Sequence, residues 1–128
     1  MTEKAPAVTP GFVRDADDAV GVRRLLDLLD LIAEERMRLH GGDEQGAVMR
    51  LLLRQLLDGD TAGMPLLRLS RLAEVPRETL RRKLGVLLNR GYLMQDGDGR
   101  YHITPAYFTA SAAARKRVET ALAGFEQG

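Results

Sequence analysis

Apolar residues return at close to 3.6-residue spacing over most of this chain, and in two short stretches the pattern gives way to β-favouring residues. From Asp15 to His40, Val22, Leu25, Leu26, Leu29, Ile32, Ala33 and Leu39 mark a first long helix. Asp15, Asp17 and Asp18 stand where negative charge suits a helix start. Arg36 and Arg38 stand near its end, and Gly41-Gly42 is a stop signal. Leu28 and Leu31 widen the apolar surface beyond one stripe, and such a helix needs cover on more than one side. The cover expected is a second copy of the chain. Val22, Leu25, Leu29 and Ile32 are assigned to that dimer seam, with Val118 and Leu122 from the last helix.

A second helix is expected from Glu44 to Asp58, capped by Asp43, with Val48, Leu51, Leu52, Gln55 and Leu56 on one face. Residues 58–63 read as a loop and Met64 to Arg68 as a short strand. Ser70 reads as the cap of a short helix over Arg71–Glu74. Val75-Pro76 makes a turn, since proline at a first helical position loses no hydrogen bond. Arg77 to Asn89 is the next helix, ended by Arg90-Gly91. Tyr92–Gln95 and Tyr101–Thr104 flank the turn-rich Asp96-Gly-Asp-Gly-Arg100, which predicts a hairpin. Pro105 opens a last helix to Phe125, with Tyr107, Ala110, Ala114, Val118, Ala121, Leu122 and Phe125 as packing positions. The fold expected is mainly α with a small β-hairpin (α+β). A disordered tail over 1–13 precedes one domain over 14–128, divided into a dimerisation helix (14–42), a core (44–105) and a C-terminal helix (106–126).

Composition narrows the chemistry. The chain has 128 residues, 45% hydrophobic but only 5% aromatic, with no Trp and no Cys. Disulfides and thiolate metal sites are excluded, and the cytoplasm is the expected compartment. His40 and His102 stand alone and far apart, so no metal site is expected. No apolar run approaches the roughly 20 residues that span a membrane, and no signal-peptide core opens the chain. Enzyme readings find little: no phosphate loop of defined spacing, no Cys nucleophile, no Ser-His-carboxylate pattern. Asp17-Asp18 and Glu34-Glu35 are adjacent pairs whose members point in different directions on a helix. No catalytic residue and no cofactor is expected.

Net charge is only +1, but it is unevenly spread. Residues 1–63 hold 8 Lys/Arg against 12 Asp/Glu, whereas residues 64–105 hold 8 against 4. A basic segment on an otherwise ordinary protein is what a nucleic-acid-binding face shows, although chance clustering gives the same count. On the helix Arg77–Asn89, Leu80, Leu84, Leu87 and Leu88 fall on one side. Glu78, Arg82, Gly85 and Asn89 fall opposite, with Thr79 and Arg81 flanking. Arg77 leans over the leading end, and Lys83 stands beside the arginines. Arg fits the acceptors of guanine in the major groove. Glu78 is placed either to accept from a cytosine amino group or to hold Arg81 or Arg82. Gly85 is a candidate for close approach of another backbone.

These residues resemble a known pattern. Leu69, Ser70, Ala73, Glu74, Val75, Pro76, Thr79, Leu80, Arg82 and Leu84 occupy the defined positions of the bacterial helix-turn-helix. Asp98-Gly99-Arg100 followed by Ile103-Thr104 is similar to the wing signature of the MarR family, and the hairpin also looks like that of IclR-like regulators. The resemblance covers about residues 47–105. It implies a winged helix-turn-helix flanked by outer helices, in a homodimeric transcriptional regulator that binds double-stranded DNA. Helix 77–89 would enter the major groove and hairpin 92–104 would act as wing. The DNA-contacting set expected is Ser70, Arg71, Arg77, Glu78, Thr79, Arg81, Arg82 and Arg100, with Ser70, Thr79 and Arg100 positioning the backbone. The chain departs from the pattern in several places, and its wing is shorter than that of MarR proteins. Glu74 stands where the turn usually has Gly, Ser70 replaces a small Ala, and Asp96 and Asp98 put acid where phosphates would lie. Winged helices also serve as protein-docking modules, and the acidic hairpin keeps that alternative open.

Overall fold

The computed structural model describes residues 16–127. The expected tail, and the side chains of the acidic cluster at 15–18, lie outside the described residues. Five helices and a small antiparallel sheet follow in the order α1 (Ala16–Leu39), α2 (Asp43–Leu57), β1 (Met64–Pro65), α3 (Leu66–Ala73), α4 (Arg77–Asn89), β2 (Leu93–Gln95), β3 (Arg100–Ile103) and α5 (Pro105–Gln127). The protein is therefore mainly α with a small three-stranded sheet, an α+β arrangement.

α2, α3 and α4 pack on one another because each turns a leucine-rich stripe inward. Val48, Met49, Leu69, Leu80, Leu84 and Leu87 are fully buried, and Leu52, Leu93 and Tyr101 nearly so. Each leucine removed from water contributes about 2 kcal/mol. α4 ends where Gly91, at φ +78°, lets the chain reverse. The Tyr92 and Gly91 amides donate to the carbonyls of Leu87 and Leu88, a Schellman closure.

The segment before α4 differs from expectation. The strand stops at Pro65 and the chain enters α3 at once, so the helix starts five residues before Arg71. Leu66, Leu69 and Ala73, three and four apart, carry it into the core. Ser70 therefore lies inside the helix and caps nothing. Asp43 is likewise not a cap: Gly42 holds that position, and Asp43, inside the first turn, pairs with Arg36 at 3.0 Å. The sheet has the order β1-β3-β2. Its third member joins the hairpin through Met64 opposite Tyr101 and Pro65 opposite Arg100, pairings no local signal announced.

α1 and α5 form an antiparallel pair beside this core. Near the joint, the rings of His40 and Tyr107 share a hydrogen bond of 2.9 Å. Further along the pair, Glu35 of α1 meets Arg117 of α5. Glu35 is only 3% exposed. It accepts from the Arg117 guanidinium at 2.7 and 2.9 Å and from Arg38 at 2.7 Å. The Arg117 fork holds its carboxyl down at about 2, against the opposing effect of burial. Arg117 is thus the tie between α1 and α5. The Arg90 guanidinium adds a bond to the Arg38 carbonyl at 2.8 Å, fixing the end of α4 to the end of α1. Among the described residues, no helix is long and apolar enough to cross a membrane.

Candidate nucleic-acid interface

α3, the turn and α4 present one continuous exposed edge, and the turn is built from α3 itself. The Ser70 hydroxyl donates to the Val75 carbonyl at 2.6 Å, while the Ser70 carbonyl accepts from the Val75 amide at 3.1 Å. Ser70 is thus committed to holding the turn and has no free hydroxyl hydrogen for a phosphate. Glu74 takes the left-handed conformation itself, φ 58° and ψ 44°. The turn keeps the shape that glycine usually supplies, and an ordinary L-residue bears the strain. Pro76, extended, precedes α4 and leaves its carbonyl to the Leu80 amide at 2.9 Å.

The four cations of α4 divide into two pairs. Arg81 lays its fork on Glu78, with Nη2 to Oε2 at 2.9 Å and Nε to Oε1 at 3.1 Å. This contact holds the Glu78 carboxyl below the usual carboxylate range. Of the two roles left open for Glu78, the one seen is that of holding Arg81. Lys83 turns aside to Glu44 on α2, 3.3 Å away, rather than standing beside the arginines. Arg77 and Arg82 are exposed, and among the described residues neither pairs with a carboxylate. Arg71, on the last turn of α3, is exposed on the same terms. Thr79 is half-buried. Beyond its own helix backbone and chain neighbours, no described atom of the chain lies within 4 Å of where a Gly85 side chain would begin.

The hairpin also differs from expectation. Asp96 is not an acid aimed outward. Its Oδ1 accepts from the amides of Asp98 (2.9 Å) and Arg100 (3.0 Å), and its Oδ2 meets the His102 ring at 2.7 Å. These contacts, led by His102, lower the Asp96 pKa. An Asp followed by Gly in a turn is a known signal for this self-bonding, and it is the clue that was available for Asp96. Asp98 alone faces solvent as an acid at the tip. Arg100 is half-buried and reaches the Gly63 carbonyl at 3.4 Å, so the hairpin's cation is partly engaged. His102 is the structural partner of Asp96.

Of the residues assigned to a dimer seam, Val22, Ile32 and Val118 are half-buried within the α1–α5 pair. Leu25, Leu29 and Leu122 remain 46, 52 and 42% exposed. Leu122, also expected to pack within the chain, does so least. Val20, Leu26 and Met37 add to the uncovered apolar surface of α1.

No protein-family model, no curated protein and no solved structure matches this chain.

Proposed function

We propose that the protein is a winged helix-turn-helix regulator, a non-enzymatic factor of the bacterial cytoplasm, that binds duplex DNA as a homodimer. In this reading α3 and α4 are the helix-turn-helix, α4 enters the major groove, and β2–β3 is the wing. The observation that carries it is the pair Arg77 and Arg82. Among the described residues, two guanidiniums stand without a carboxylate partner on the leading end and outer side of a helix whose opposite side is locked into the core. Arg71 extends the basic edge onto α3. Phosphate positioning falls to Arg71 and Thr79, with Arg100 contributing from the hairpin, while Ser70 acts only through the turn.

The test is retention of genomic duplex fragments by the whole protein. Affinity should fall linearly on a log–log salt plot, with slope about −0.9 per phosphate neutralised. Arg77→Ala together with Arg82→Ala should lower affinity and reduce that slope by about two, with an unchanged melting temperature. Unchanged affinity in the double variant overturns the assignment.

A second reading, a protein-docking module without direct DNA contact, is favoured by one observation. Leu67 and Leu72 lie exposed on α3. It predicts salt-independent behaviour toward DNA and loss of a partner on Leu72→Asp.

A further inference from the structure

Glu78 stands in an unusual position for a surface that is to meet a polyanion. It occupies the first turn of α4, between Arg77 and the outer arginines, and its side chain is 75% exposed. Arg81 does not cover it. The fork takes one lone pair from each carboxylate oxygen along a single edge, and each oxygen keeps a second lone pair facing away. The grip does fix the direction of the carboxylate, since a bidentate contact sets both position and plane. Its remaining acceptors are thus presented on the outer side of α4 in one orientation.

In the major groove, such a group discriminates sharply. Guanine O6 and N7 and thymine O4 are acceptors and repel it, as phosphates do. Cytosine N4 and adenine N6 are amino donors and satisfy it. A carboxylate with no donor opposite would be stripped of water for nothing in return. We infer that Glu78, oriented by Arg81, is a specificity-determining residue of this face: it requires an amino-bearing base, cytosine or adenine, at one position of the bound site. Arg81 is then a positioning residue for Glu78, and the guanine-directed contacts fall to Arg77 and Arg82. The inference rests on the DNA-binding reading and adds to it a carboxylate that rejects sequences.

The experiment is selection of the whole protein on a randomised duplex library, followed by titration of the selected duplex and its single-base variants. Wild type should select cytosine or adenine at one position and lose about tenfold in affinity when guanine or thymine is placed there. Glu78→Gln, whose amide both donates and accepts, should flatten the preference at that position alone and raise affinity for unselected DNA. Arg81→Ala should weaken the same preference while leaving the others. Melting temperatures should stay near wild type, because an exposed ion pair of this kind holds little of the fold. A selected site whose preference is identical in wild type and Glu78→Gln at every position overturns the inference and leaves DNA binding standing. Failure of the wild type to retain any duplex at low salt overturns the DNA reading itself.

Discussion

The middle of the molecule and its outer helix pair solve the same problem differently. In α2, α3 and α4 the inward leucines meet one another and the hairpin, and Leu69, Leu80, Leu84 and Leu87 lose all contact with water. Along α1 and α5 the apolar stripe is broader than one neighbouring helix can cover. Leu28 and Ile32 are half-buried, while Leu25, Leu26 and Leu29 stay about half exposed. The middle closes mainly with apolar contact, with the Lys83–Glu44 pair tying α4 to α2 at its edge. The outer pair closes with small residues such as Ala114, a buried carboxylate between two arginines, and a His–Tyr bond at the joint. A unit closed in this way can hold a rigid surface toward a ligand. A pair left open in this way has apolar surface to offer a second copy.

The sharpest test of that contrast is truncation. Leu84→Ala should cost about 2–5 kcal/mol in chemical denaturation, the range for a fully buried leucine. Leu29→Ala should cost less than about 1 kcal/mol in dilute solution, where it is half in water already. Similar losses for the two would mean that the outer pair is packed as tightly as the core.

The second test separates the open stripe from mere exposure. Leu25→Glu with Leu29→Glu should leave the fold intact and weaken self-association by about a hundredfold or more, read by sedimentation over a range of concentrations. A wild-type mass that stays monomeric at all concentrations would end the dimer reading.

The third test uses pH. Glu35 has its pKa lowered from 4.5 to about 2. A lowered carboxyl contributes stability that is fully present above 4.5 and is lost as pH falls toward 2. Glu35→Gln should therefore show a smaller fall in melting temperature than wild type over that window. Some fall will remain, because Glu44, Glu78 and Asp96 are lowered too. His40 adds a step at higher pH. Burial lowers its pKa from 6.5, helped by Arg50, Arg36 and Arg90, and its buried Nδ1 has no partner among the described residues. Neutral His40 stabilises the joint above 6.5, and that contribution is lost as pH falls below it. His40→Gln should remove the upper step and spare the lower one.

What could be read from the chain follows the range of the physics involved. The bounds of α4 came out as expected, Arg77 to Asn89, because Pro76, the leucine period and Gly91 are all local signals. The side of α4 that faces out was legible for the same reason. α3 was not, since it springs from an extended Pro65 with no polar cap to announce it. The partners of the charges were not legible either. Lys83 meets a residue 39 positions away and Arg117 one 82 away, and no spacing rule reaches so far. Hence the arginines of the candidate site could be placed but not sorted into held and free ones. Asp96 failed differently: its charge was weighed against phosphates, while its nearest donors were the amides of its own turn.

The smallest effects test whether the turn between α3 and α4 is strained while the outer side of α4 is slack. Glu74 sits in the left-handed region, where an L-residue costs about 1 kcal/mol relative to glycine. Glycine in its place relieves the clash but frees the unfolded chain, which offsets part of the gain. Glu74→Gly should therefore stabilise by about 0.5 kcal/mol, a rise of a few degrees in melting temperature. Glu74→Ala keeps the Cβ and should give no such rise. Gly85 is the converse case, a helix-interior glycine with nothing near its missing side chain. Gly85→Ala should stabilise by a similar amount through propensity alone. The two differ in what DNA would report. Removing Glu74 takes a negative charge from the basic edge and should strengthen retention at low salt, whereas Gly85→Ala leaves charge unchanged. If Gly85→Ala stabilises the fold and yet weakens DNA binding, the outer side of α4 lies against the groove closely enough that one methyl group is felt. That result would tie the slack position to the ligand more directly than any charge change can.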